Sequence, residues 1–145
     1  MIDHEGTRKL LLEQHRSLRA LLAEARAGAA RLSRGEGSAG ELRRRLGELR
    51  AACEEHMRDE EDRLAPVLAR IDAWGPERLE RMREEHAHQR AALARLATEE
   101  PGTDLAKDAV ALAEVLESEM RAEERDILDA SVLRDDPLTL DASDA

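Results

Sequence analysis

Residues 54–66 read EEHMRDEEDRLAP. His56 and Glu60 stand four residues apart in a run of otherwise helical composition, so their side chains lie one turn apart on one helix face. Whether that face is wet or buried decides the fold. Stepping outward by threes and fours, as a bundle seam requires, gives Leu42, Leu46, Leu49 and Cys53 before the pair. Leu64, Val67 and Ile71 follow it, with one extra four-step near Leu64. His56 and Glu60 therefore interrupt an apolar stripe and point into the protein.

The rest of the chain is helical by the same reasoning. Its 145 residues suit one domain with one core. Leu, Ala, Arg and Glu dominate, there is one Trp, and Phe and Tyr are absent, so the residues enriched in strands are scarce. Punctuation divides the chain at SRGEGSAG (33–40), at Gly75–Pro76 and at Pro101–Gly102. Thr103 or Asp104 can cap the last helix. Four helices are expected, over 7–32, 41–72, 76–98 and 104–130. Their short connections imply an all-α, antiparallel, up-down-up-down four-helix bundle over 1–130. The acidic stretch 131–145 reads as a flexible tail.

Each of the other helices also carries an apolar seam broken over one or two turns. Helix 1 runs Leu11, His15, Leu18, Leu22, Ala25, Ala29 and Leu32. Helix 3 runs Leu79, Met82, His86, Gln89, Leu93 and Leu96. Helix 4 runs Leu105, Ala109, Leu112, Leu116, Glu119, Glu123, Ile127 and Ala130. The interruptions fall at one depth. His15 lies 17 residues before Leu32 and His56 15 after Glu41; Glu60 lies 12 before Asp72 and His86 10 after Pro76. His86 lies 12 before Thr98 and Glu119 15 after Asp104. At the helical rise each mismatch is only about 3 to 4.5 Å. His15, His56, Glu60, His86, Glu119 and Glu123 should share one slab of the interior.

Three carboxylates and three imidazoles in a buried layer are costly unless compensated. They can pair as imidazolium and carboxylate, or they can coordinate cations. Two Fe²⁺ ions leave the six groups close to neutral overall, and so does a diferric pair with one oxo bridge. Mixed imidazole and carboxylate donors suit iron, with manganese or zinc as lesser alternatives. Bundles build two-metal sites from inward Glu and His on facing helices.

EQHRSLRALL around His15, HMRDEEDRLAP from His56 and EEHAHQRAAL around His86 resemble the hemerythrin-like, or HHE cation-binding, domain. ESEMRAEERDIL of helix 4 aligns by pattern with a second copy of the histidine–three–glutamate motif, and the resemblance spans about 7–130. It implies a carboxylate-bridged non-haem di-iron centre, oxo- or hydroxo-bridged. His15, His56, His86 and Glu119 would be terminal ligands and Glu60 and Glu123 bridges. Glu119 departs from the pattern, which has histidine there, and Arg90 stands where classical oxygen carriers have a second helix-3 histidine. An added anionic ligand favours Fe³⁺. The expected chemistry is therefore peroxide, O2, NO or ferrous-iron handling, with peroxidase- or ferroxidase-like turnover left open, and not reversible oxygen carriage.

The remaining features read as ordinary structure. Asp59, Glu61 and Glu124 step off the seams and read as a solvated face, as does His88. Cys53 and Met82 read as core filling, Pro66 as a kink in helix 2, and Trp74 as a plug on the bundle end. His4 precedes the first helix. The formal charge of −10 disfavours nucleic acid and anionic membranes as partners. One cysteine leaves no disulfide framework, and no stretch has the length of a signal or membrane span. A cytoplasmic protein is expected. The competing reading is a metal-free or zinc-bound four-helix scaffold for a protein partner, which the tail RDDPLTLDASDA (134–145) could contact.

Overall fold

A computed structural model describes residues 3–98 and 104–133 of the chain. The elements are α1 (His4–Ser33), α2 (Ala39–Asp59), a π-helical turn (Glu60–Leu64), α3 (Ala65–Ile71), α4 (Gly75–Ala97) and α5 (Leu105–Asp126). With α2, the π turn and α3 forming one continuous rod, the molecule is the expected four-helix bundle, and the described residues contain no strand. Three helix starts are capped by acidic or hydroxyl side chains. Asp3 accepts from the Gly6 amide at 2.7 Å, Ser38 from Glu41 at 3.1 Å and Asp104 from Lys107 at 3.1 Å. The Asp3 cap starts α1 at His4, so that residue belongs to the helix.

The π turn answers the extra four-step in the sequence. The Ala65 amide donates to Glu60 O, five residues back, so the rod widens there and takes up one additional residue without turning its seam outward. Pro66 follows at once and has no amide to donate. The disturbance expected at Pro66 is therefore expressed as a wide turn that begins at Glu60.

Two apolar clusters flank the polar layer. The larger joins Leu18 to Ala29 of α1, Leu42 to Met57 of α2, Leu93 and Leu96 of α4, and Leu105 to Met120 of α5. The smaller joins Leu11, Leu64, Val67, Leu68, Met82, Leu128 and Leu133. Burying one such leucine stabilises the fold by about 1.5 to 3 kcal/mol. The clusters therefore hold the bundle shut on both sides of a layer that on its own opposes closure. Helix α1 lies between α2 and α5, α4 packs on α2 and α3, and the α4–α5 contact is the least extensive of the four around the bundle.

The chain end differs from expectation. Helix α5 stops at Asp126, and Ala130 is exposed. The chain then turns, with Asp129 accepting from the Ser131 amide at 2.8 Å, and Leu128 and Leu133 fill the small cluster instead. Residues 134–145, most of the expected tail, lie outside the described residues. Trp74 is no plug: it is 61% exposed. The reason is the tightness of the α3–α4 turn. A Cβ at Gly75 would come within 2.0 Å of Leu68 O, so backbone already closes that end and no room remains for an indole.

Candidate metal centre

The five seam residues His15, His56, Glu60, His86 and Glu123 meet in the layer. His15 Nε2 lies 3.2 Å from His56 Nε2 and 3.0 Å from Glu123 Oε1. His56 Nε2 lies 2.7 Å from Glu60 Oε1 and 3.8 Å from Glu123 Oε1, and His86 Nε2 lies 3.6 Å from Glu60 Oε1. Each of the two glutamates thus stands between two imidazoles. The three histidines and Glu60 are 5% exposed or less. One ligand atom each from His15, His56 and Glu123 falls within 4.8 Å of the others, close enough to share a cation.

The outward nitrogens are all engaged. His15 Nδ1 lies 2.7 Å from Glu124, His86 Nδ1 lies 2.9 Å from Glu61, and His56 Nδ1 lies 2.7 Å from Gln14 Oε1. Two arginines hold the outer carboxylates: Arg19 donates to Glu124 at 2.7 and 2.9 Å, and Arg90 lies 2.9 Å from Glu61. The Arg19 bond is the main reason the Glu124 carboxyl sits below its usual range. Burial opposes ionisation of Glu61, but His86 and Arg90 outweigh it and its carboxyl also falls. Ionised carboxylates only accept. Gln14 is oriented by its amide nitrogen, which donates to Asp59, so its oxygen is the atom facing His56. All three Nδ1 atoms are therefore donors, and in the neutral rings all three Nε2 atoms carry lone pairs turned inward.

That arrangement fits a cation. With neutral rings, three inward lone pairs and the oxygens of Glu60 and Glu123 converge, and among the described residues Glu60 Oε2 and Glu123 Oε1 have no hydrogen-bond partner. Leaving buried charge uncompensated costs about 3 to 5 kcal/mol. A hydrogen-bond donor or a metal ion is needed to reconcile these acceptors. The outer partners are the usual support of metal-binding imidazoles, fixing tautomer and ring plane. In the proton-bound form, burial disfavours the charged His56 ring, but Glu123 and Glu60 overcome it and lift its pKa to about 10. Burial likewise opposes a rise at His86, which Glu60 and Glu61 nonetheless produce. Burial and the adjacent Glu60 charge push Glu123 up, while Glu60, against its own burial, is held low by Glu123 and the imidazoles.

Glu119 stands apart from the other five. It lines the same cavity of about 30 Å³, but its carboxylate accepts from Gln89. Burial chiefly pushes its pKa up. Asp59, Glu61 and Glu124 are not the solvated face expected of them: all three brace the histidines, directly or through Gln14. Arg90 likewise faces away from the layer, bracing Glu61. The sequence does carry a signal for this second ring. Glu60–Glu61 and Glu123–Glu124 are paired acids, one inward and one sideways, and Arg19 and Arg90 each follow a layer histidine by four residues. His88 is exposed, and Cys53 and Met82 are buried in the core as expected.

The family model of the hemerythrin HHE cation-binding domain matches residues 7–130. The chain belongs to that family. No curated protein and no solved structure matches it. As an HHE domain it is a metal-cation binder, and His15, His56 and Glu123 of the layer could together hold a cation. No helix among the described residues is long and apolar enough to cross a membrane.

Proposed function

We propose that this HHE domain holds two iron ions in the layer and handles a small reactive ligand there, O2, peroxide or NO, or iron itself. His15, His56, His86, Glu119, Glu60 and Glu123 would hold the ions. The observation that carries this reading is the convergence of three imidazole Nε2 atoms with the oxygens of Glu60 and Glu123 in one buried layer. Bound iron would supply redox electrons and Lewis acidity at its open positions. The chain does the rest. Glu124, Gln14 and Glu61 hold the imidazole planes, and Leu18, Leu22, Leu116 and Met120 give the cavity an apolar wall that keeps bulk water out.

Reversible oxygen carriage is disfavoured by Glu119, whose charge stabilises the oxidised metal, and by Arg90, which is committed to Glu54 and Glu61 and supplies no further imidazole. The ligand assignment is tested by metal analysis after iron loading. About two irons per chain are expected in the wild type, with loss of binding in Glu60→Ala and Glu123→Ala. A visible band that appears with O2 and vanishes on degassing over repeated cycles would refute the exclusion of carriage. The scaffold reading has one observation in its favour: the high pKa of His56 allows protons to hold the layer shut. It predicts that iron leaves the melting temperature unchanged in the wild type and in both variants.

A further inference from the structure

The two halves of the layer are built from matching parts. His15 with Arg19 on α1 faces Glu123–Glu124 of α5, and His86 with Arg90 on α4 faces Glu60–Glu61 of the π turn. By the same correspondence Gln14 matches Glu85, His56 matches Glu119, and Asp59 matches Ala122. In the first half the chain Asp59–Gln14–His56 fills the corner between α1 and α2. In the second half a carboxylate replaces the imidazole and an alanine replaces the aspartate. The α4–α5 corner is correspondingly open. A groove of about 470 Å³ lies there, lined by Arg81, Glu85, Glu119, Ala122 and Glu123 among others. Glu85, Glu119 and Glu123 also line the inner cavity, so groove and cavity meet at these three carboxylates.

We infer that the α4–α5 groove is the route by which divalent cations reach the layer, with Glu85 and Glu119 as carboxylates that pass the ion inward to Glu123 and Glu60. The inference rests on the cation-binding layer proposed above. The rim is close to balanced, because Arg78 pairs with Asp72 at 3.0 Å and Arg125 with Asp126 at 2.9 Å, while Arg81 faces Glu85 and Asp126. The floor keeps acceptors open to a cation. Among the described residues Glu119 has only the neutral Gln89 as hydrogen-bond partner, and Glu60, 2% exposed at the inner end, keeps an oxygen with none. An ion entering a low-dielectric cleft with such a floor is drawn inward by a focused field. At the corresponding corner between α1 and α2, Gln14 and Asp59 are bonded across the helices.

The test is Co²⁺ uptake by the apo-protein, followed by stopped-flow absorbance, with the final Co²⁺ content measured separately. Glu85→Gln should slow uptake about tenfold, at the low end of what field focusing gives, and leave the final content at the wild-type value. Ala122→Phe, which fills the groove without changing charge, should slow it as well, with circular dichroism confirming the fold. Added salt should slow the wild type more than Glu85→Gln. Wild-type uptake rates in both variants would overturn the route. A lower final content in Glu85→Gln would overturn it too, making Glu85 a resident ligand. Absence of Co²⁺ binding by the wild type would instead remove the metal layer itself.

Discussion

At the corner between α1 and α2, His56 is fixed by Gln14, and Gln14 by Asp59. At the corner between α4 and α5, Glu119 is met by Gln89 alone, Ala122 leaves space, and Glu85 faces the gap. One corner is closed by side-chain hydrogen bonds, and the other opens onto a groove. A site whose every donor is locked binds tightly but admits slowly, whereas one loose donor lets the same bundle be both selective and fillable. The contrast separates affinity, which should depend on the locked corner, from rate and redox behaviour, which should depend on the loose one.

The largest effect tests the common floor. Glu60→Ala should abolish iron binding and with it the thermal stabilisation by iron, roughly 4 kcal/mol at a thousandfold excess over Kd. The apo-protein should lose stability as well, by about 3 to 5 kcal/mol, because His56 and His86 lose the carboxylate they are paired with. Titration calorimetry and melting curves with and without iron decide it. Next, Gln14→Leu and Glu124→Gln should each weaken metal binding about tenfold to a hundredfold, while Glu85→Gln should leave the equilibrium constant alone. Equal losses in all three would erase the distinction between the corners.

Glu119→His should complete the loose corner. It removes an anionic donor, so the midpoint potential should rise, and a redox titration that moves downward would contradict the assignment. A smaller effect concerns pH. His56, raised to about 10, gives the apo-protein a stabilising proton that is fully present below its unfolded-state value near 6.5 and is lost as pH rises toward 10. A metal ion must displace that proton, so the gap between holo and apo melting temperatures should widen from pH 6 to pH 9. A gap that narrows over this range would argue against His56 as a ligand. The smallest effect is Trp74→Ser, expected within about 0.5 kcal/mol of the wild type.

Much of this was legible in the chain itself. Gly and Pro placed the helix breaks, and the spacing of Leu with His and Glu placed six residues in one layer, of which the structure brings five into contact and leaves Glu119 beside Gln89. Even the surplus four-step near Leu64 marked the π turn. What the spacing could not convey lies between helices. Glu61, Glu124 and Asp59 sit one residue off the seam, where a single-helix projection shows only a polar face, and their partners come from other helices. Trp74 misled for a different reason: a large apolar side chain suggests burial, but the close passage of Gly75 over Leu68 had already taken the space.

The placement of the polar layer between a large and a small apolar cluster has a mechanical consequence. Without cations the molecule is two oily lobes joined by a waist that protons alone hold together, and among the described residues the lesser lobe has seven buried core side chains. That lobe includes the first turns of α1 and the final described turn, so ion loss should loosen both extremities together. Amide exchange would then quicken there first, and a bound ion would act as a rivet at mid-height that makes two separately melting halves unfold as one.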